Sequence, residues 1–173
     1  MKALGPSDAF RLLAAEGWLE LGNAREAEWE LAQIKGRARS RPEVLKARWR
    51  VCHAAKKWAA GVEVGRKLIK LAPRDSFGWI NRSYAIRRAP EGGVQAAYDA
   101  LKPGAERVED VEMVAFNLAC YACQLGRLDE ARHWLKRAFG VAKQNGRLVE
   151  CRRQALLEED LRPLRDDLGS LDA

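Results

Sequence analysis

FNLACYACQLGRLDEARHWLKRAF, residues 116–139, contains two amphipathic helical patterns joined at a glycine. Leu118, Ala119, Ala122 and Leu125 recur at helical spacing before Gly126, and Leu128, Ala131, Leu135 and Ala138 recur after it. The spacing predicts a helical hairpin. Ala119, Ala131 and Ala138 are small enough for two helices to approach closely, and Gly126 can take the left-handed conformation that stops the first of them.

Earlier copies of this pattern open near Asp8, Pro42 and Ser76, at spacings of 34, 34 and 36 residues up to Glu112. The first copy has Trp18, then Leu21-Gly22 at the turn, then Glu26-Ala27, Leu31 and Ile34; Ser7 or Asp8 is its expected N-cap. The second starts at Pro42, which suits a first helical turn, and continues with Val44, Leu45, Cys52 and Ala55. Its turn, Lys56-Lys57-Trp58, lacks glycine, whereas its second helix carries Gly61 and Gly65. Each interior glycine costs a helix about 1 kcal/mol relative to alanine. Either this copy leans on its neighbours and on Trp49 and Trp58, or the glycines permit close packing. The third copy has Trp79, Tyr84 and Ile86, a longer turn at Ala89–Gly93, and Ala97 and Leu101 in register with Ala131 and Leu135; Lys102-Pro103-Gly104 ends it early.

A small residue in each helix (Ala119 and Ala131 here), Leu-Gly at the turn (Leu125-Gly126) and Glu-Ala early in the second helix (Glu130-Ala131) make the chain resemble tetratricopeptide-repeat (TPR) proteins. The resemblance implies an all-α, right-handed α-solenoid of about four hairpins plus a C-terminal capping helix. The expected layout is one domain over residues 1–173, with repeats at about 8–41, 42–75, 76–111 and 112–145 and a capping segment at 146–168. A last helix from about Leu148 to Glu158 should bury Leu148, Cys151, Ala155 and Leu156. The following EEDLRPLRDDL is similar to the closing segment of bacterial TPR proteins, which implies that Leu161, Pro163 and Leu164 tuck under the stack with Asp160 as a cap.

The net charge of +7 is unevenly placed. Lys35–Arg74 holds thirteen Lys or Arg against Glu43 and Glu63 alone, whereas Asp8–Ile34 has six acids against Arg11 and Arg25. An anion would be drawn to the second repeat. No run of eighteen apolar residues and no secretory pattern at Met1–Asp8 is present, so the expectation is a soluble, cytoplasmic protein with reduced thiols at Cys52, Cys120, Cys123 and Cys151.

First helices line the concave face of a TPR stack, so the resemblance implies a peptide-binding groove built from Lys46, Arg50, His53, Phe77, Asn81, Tyr84, Arg88, Met113, Phe116 and Asn117. Its floor would be basic around Lys46, Arg50 and Arg88, and its rim aromatic at Phe77, Tyr84 and Phe116. The partner that fits is another protein, through an acidic, amphipathic or C-terminal peptide segment. The alternative is that the arginines are solvated helix face and the aromatics local packing. A complete carboxylate clamp of the chaperone-docking kind is not expected: Lys46 and Asn81 match it, but Arg50, Met113 and Asn117 do not.

Cys120 and Cys123 form a CxxC in mid-helix, without the helix N-terminus that would activate a thiol and without a full set of zinc ligands at usable spacing. No phosphate loop or nucleophile elbow is present, and His53 and His133 lack a catalytic neighbour pattern. The sequence therefore predicts no catalytic, cofactor or metal site. Two further functions stay open: RNA or single-strand binding through the basic patch at 35–74, and self-assembly between the acidic ends and the basic middle.

Overall fold

A computed structural model describes residues 4–108, 110–169 and 171; the expected domain of 1–173 therefore begins and ends outside the described residues. The chain runs α1 (Pro6–Glu20), α2 (Ala24–Gln33), α3 (Pro42–Ala54), α4 (Trp58–Leu71), α5 (Ser76–Arg88), α6 (Val94–Leu101), α7 (Glu112–Gln124), α8 (Leu128–Gln144) and α9 (Leu148–Leu157). Short 3-10 helices cover Gly36–Ser40, Lys102–Glu106 and Glu159–Asp167. Consecutive pairs form four antiparallel hairpins, and each first helix also packs on its predecessor, α1 on α3, α3 on α5 and α5 on α7. Among the described residues there is no strand, and no helix is long and apolar enough to cross a membrane.

One turn geometry recurs. Gly22, Gly126 and Gly146 have φ of 75°, 74° and 70°. The N–H after each reaches back to the helix that has just ended: Asn23 N–H donates to Trp18 O at 2.8 Å and Arg127 N–H to Ala122 O at 2.9 Å. The second hairpin keeps this turn without glycine, since Lys56 takes φ 55° and Lys57 N–H donates to Cys52 O at 2.8 Å. Lys56 thus bears the left-handed strain that its counterparts avoid.

The two glycines of α4 serve close packing. A Cβ added to Gly65 would lie 2.6 Å from Arg82 Cβ, and one on Gly61 3.4 Å from Ala85 Cβ; one added to Gly78 of α5 would lie 3.0 Å from the Ile69 backbone N. The α4–α5 seam is a backbone-to-backbone approach, and the helical cost of the glycines is offset there. Hydrophobic cores lie to either side. A small one joins Ala15, Ala27, Leu31, Ile34, Val44, Ala47 and Val51. A larger one runs from Trp79 through α7 and α8 to Leu161, Leu164 and Leu168.

Four local expectations are corrected. Gly5 precedes α1 and no side chain caps it, because Pro6, with φ preset and no N–H to satisfy, starts the helix ahead of Ser7 and Asp8. In the closing segment Leu161 and Leu164 are buried, but Pro163 faces solvent. Glu158, not Asp160, is the cap there, accepting from the Asp160 N–H at 3.3 Å. Leu156 is 51% exposed, because the face of α9 that enters the core is the one carrying Cys151 and Ala155.

Candidate binding groove

The first helices α5 and α7 lie side by side, and α9 follows them in the same sense, its start at Leu148 falling 36 residues after Glu112. Between them opens a cavity of about 270 Å³ lined by Tyr84, Arg87 and Arg88 of α5, Met113, Phe116, Asn117, Cys120 and Tyr121 of α7, and Gln154, Glu158 and Asp160 of the C-terminal segment. Tyr84, Arg88, Met113, Phe116 and Asn117 of the expected groove therefore share one concavity. Phe116 is 2% exposed and forms its base, not a rim, because α7 is covered on nearly every side. Ten of the thirteen residues of α7 are buried.

Asp160 closes one end. Its carboxylate receives Arg87 Nη1 at 2.7 Å and the Gln124 side-chain amide, so one residue ties the closing segment to both α5 and α7. Burial alone would weaken the Arg87 cation, but the hydrogen bond it donates to the Asp160 carboxylate, with that group's charge, more than offsets this and the guanidinium is held above its ordinary value. Arg88 differs. It is exposed, lies 3.5 Å from the Tyr84 ring centroid and 5.9 Å from that of Trp58, and has no carboxylate partner among the described residues.

The other expected groove residues sit outside the cavity. His53 stacks on Trp49 at 5.3 Å and its Nε2 is 3.3 Å from the Tyr84 hydroxyl, so an aromatic ridge adjoins the cavity through Tyr84. Lys46 is bound to Asp75 at 2.6 Å and lies over the Phe77 ring. Burial pushes the Asp75 carboxyl up, but the Lys46 ammonium and the Phe77 N–H more than offset that and hold it below its ordinary value. Arg50 reaches Glu16 at 3.1 Å. Lys46 and Arg50 of the basic floor are thus neutralised from within, and elsewhere in the 35–74 patch Lys57 pairs with Glu28, Arg66 with Glu63 and Arg41 with Glu43. Asn81 and Asn117 donate to the carbonyls of Phe77 and Met113 at 2.8 and 2.7 Å within their own helices. The Asn81 bond occupies an amide hydrogen at one of the two positions that match a clamp.

The cysteines are free thiols. Burial pushes all of them up: Cys52, Cys123, Cys120 far above the ordinary thiol range, and Cys151 to about 11. A neutral thiol is a poor nucleophile and a poor metal ligand, and no group of three or more His, Cys, Asp or Glu gathers as a metal site among the described residues.

Sequence reasoning missed the share of Gln154, Glu158 and Asp160 in the cavity. The 36-residue step from Glu112 to Leu148 equals that from Ser76 to Glu112, and it marks α9 as another first helix facing the same side.

Similar solved structures run nearly end to end along this chain. A thermophilic TPR protein from Thermus thermophilus is 20% identical, with a TM-score of 0.59 over 94% of this chain and 95% of its own. The chain has the fold of a tetratricopeptide-repeat solenoid. A MamA protein is similar as well, at 14% identity and a TM-score of 0.68, covering 97% of this chain and 89% of that one. At such identities the likeness is one of fold. No protein-family profile and no curated protein matches the sequence. In this TPR solenoid the cavity lies where first helices from adjacent repeats meet, at the end sealed by the closing segment.

Proposed function

We propose that the protein is a non-enzymatic interaction scaffold whose concave face binds a segment of a partner protein at the cavity between α5, α7 and α9. The observation that carries this reading is the pairing of an apolar base, Met113 and Phe116, with an exposed cation at the mouth, Arg88, that has no internal carboxylate. One bulky apolar side chain fits a cavity of about 270 Å³, and a carboxylate beside it would reach Arg88. His53 and Trp58, packed about the buried Trp49 ring, extend the contact along the segment. The TPR fold supports the scaffold reading, and the internal pairing of Lys46, Arg50 and Lys57 favours this site over the basic patch.

The test is selection of binding peptides from a displayed random library on the purified protein, followed by titration against Arg88→Glu and Met113→Trp. Selected peptides should carry an acidic and a bulky apolar residue close together, and each substitution should weaken them about tenfold or more with thermal unfolding unchanged. Peptides indifferent to both substitutions would move the site elsewhere. Tight, salt-sensitive binding of single-stranded RNA with no peptide enrichment would move the function to nucleic acid.

A further inference from the structure

The two walls of the concave cavity carry opposite charges that do not meet. On the α5 wall Arg88 is exposed and lies over Tyr84; on the C-terminal wall Glu158, half-buried, ends α9. No ion pair joins them among the described residues. The acids around Glu158 are all taken: Glu150 by Arg153 at 2.8 Å, Glu159 by Arg165 at 2.8 Å and Asp160 by Arg87 at 2.7 Å. Glu158 alone of these four has no cation among the described residues. Its Oε1 accepts the Asp160 N–H at 3.3 Å, which leaves the charge itself without a counter-ion.

Glu158 also stands where two concavities adjoin. A second one, of about 210 Å³, is lined by Glu150, Arg153, Gln154, Leu157 and Glu158, and it shares Gln154 and Glu158 with the first. Leu157 is 72% exposed there. An apolar surface beside a carboxylate matches a lysine or arginine, whose methylene stem covers the one while its charged head reaches the other. On the side of the first cavity, the Glu158 charge is felt at the base. Burial first, then the charges of Glu158 and Asp160, push the Cys120 thiol far above its ordinary range.

We infer that the partner segment is bipolar: it places an acidic residue at Arg88, a bulky apolar residue over Met113 and Phe116, and a lysine or arginine at Glu158 with its stem on Leu157. This rests on the reading that the cavity binds a segment of a partner protein, and it adds a direction. A segment with opposite charges on either side of its apolar residue fits between the two walls one way only, since the reversed segment would set its acid against Glu158 and its base against Arg88. Charges arranged like this choose among segments and orient them more than they add affinity. A segment acidic throughout, which Arg88 alone would accept, is disfavoured at Glu158.

The probe is a displayed random peptide library selected separately on the wild type, Glu158→Gln and Glu158→Lys. Wild-type peptides should carry an acidic, an apolar and a basic residue in one fixed order. Glu158→Gln should lose the basic preference alone, and Glu158→Lys should exchange it for an acidic one. Glutamine keeps an oxygen for the Asp160 N–H, so thermal unfolding of Glu158→Gln should match wild type. With one selected peptide labelled with fluorescein, alanine in place of its basic residue should weaken binding, read by anisotropy, about fivefold on the wild type and leave it unchanged on Glu158→Gln. The inference is overturned, with the binding reading left standing, by wild-type peptides that need Arg88 but show no basic preference, by a basic preference that survives in Glu158→Lys, or by an equal loss from the alanine peptide on wild type and Glu158→Gln. Peptides indifferent to both Arg88→Glu and Met113→Trp would overturn the binding reading and this inference with it. A wild-type dimer in sedimentation that Glu158→Lys dissolves would overturn it by making a second copy the occupant.

Discussion

The first and fourth hairpins share a sequence pattern and differ in fate. Both have Leu-Gly at the turn, Glu-Ala in the second helix and the same left-handed glycine. Yet Ala15 is the one buried residue of α1, whereas α7 buries ten of its thirteen. A hairpin of this kind presents two apolar sides and can cover only one itself. On α7 the preceding repeat takes one side, and α8, α9 and the closing segment take the rest. On α1 the outer side is left open, so coverage by neighbours, more than hairpin sequence, decides which hairpin is core and which is surface.

The sharpest way to break this comparison is to unseal the fourth hairpin. Leu161 and Leu164 are fully buried in the closing segment, and Leu164→Ala should cost about 2–5 kcal/mol in denaturant unfolding. Leu13→Ala at the open end should stay within about 0.5 kcal/mol. Similar losses at both would contradict the account. Between the two ends, Gly65→Ala tests the α4–α5 seam. The added methyl meets Arg82 Cβ and Cα across a helix interface, so despite better helix propensity a net loss of about 1–2 kcal/mol is expected. A gain would mean that the seam has slack.

A smaller effect of opposite sign is expected at the turns. Lys56→Gly should raise stability by about 0.5–1 kcal/mol, since it removes the left-handed strain at φ 55°. Gly126→Ala, at φ 74°, should lower it by about 1 kcal/mol. The smallest effect is electrostatic. The Tyr98 hydroxyl, with Lys102 and Arg127, holds the Glu130 carboxyl below its ordinary 4.5. A depressed carboxyl contributes stability that is whole above its unfolded value and is lost as pH falls through the folded one. Thermal unfolding of Glu130→Gln should therefore lie below wild type at neutral pH and converge with it below pH 4.5.

The solenoid was legible because its signals are local and periodic: alanines at helical spacing, a glycine at three of the four hairpin turns and steps of 34, 34 and 36 residues. The second turn was harder to read, because Lys56 does what glycine usually does. The purpose of Gly61 and Gly65 needed the partner helix, since a glycine that weakens a helix and one that admits a neighbour look alike in sequence. For the groove, Tyr84, Arg88, Met113, Phe116 and Asn117 were readable from the register. The loss of Lys46 and Arg50 to Asp75 and Glu16 was less so, because an ion pair between repeats depends on side-chain reach; even so, Glu16 and Arg50 stand one repeat period apart. Asp160 was read as a helix cap, and its span from Arg87 to Gln124 appears only once the closing segment folds back.

Native-state hydrogen exchange, resolved by peptide, tests most directly the claim that neighbours decide a hairpin's role. Amides of α7 and α8 should exchange only through global unfolding, and those of α1 through a local opening of lower free energy. Leu164→Ala should bring α7 down toward α1. Equal protection of α1 and α7 in the wild type, or loss confined to α1 on unsealing the far end, would contradict the account.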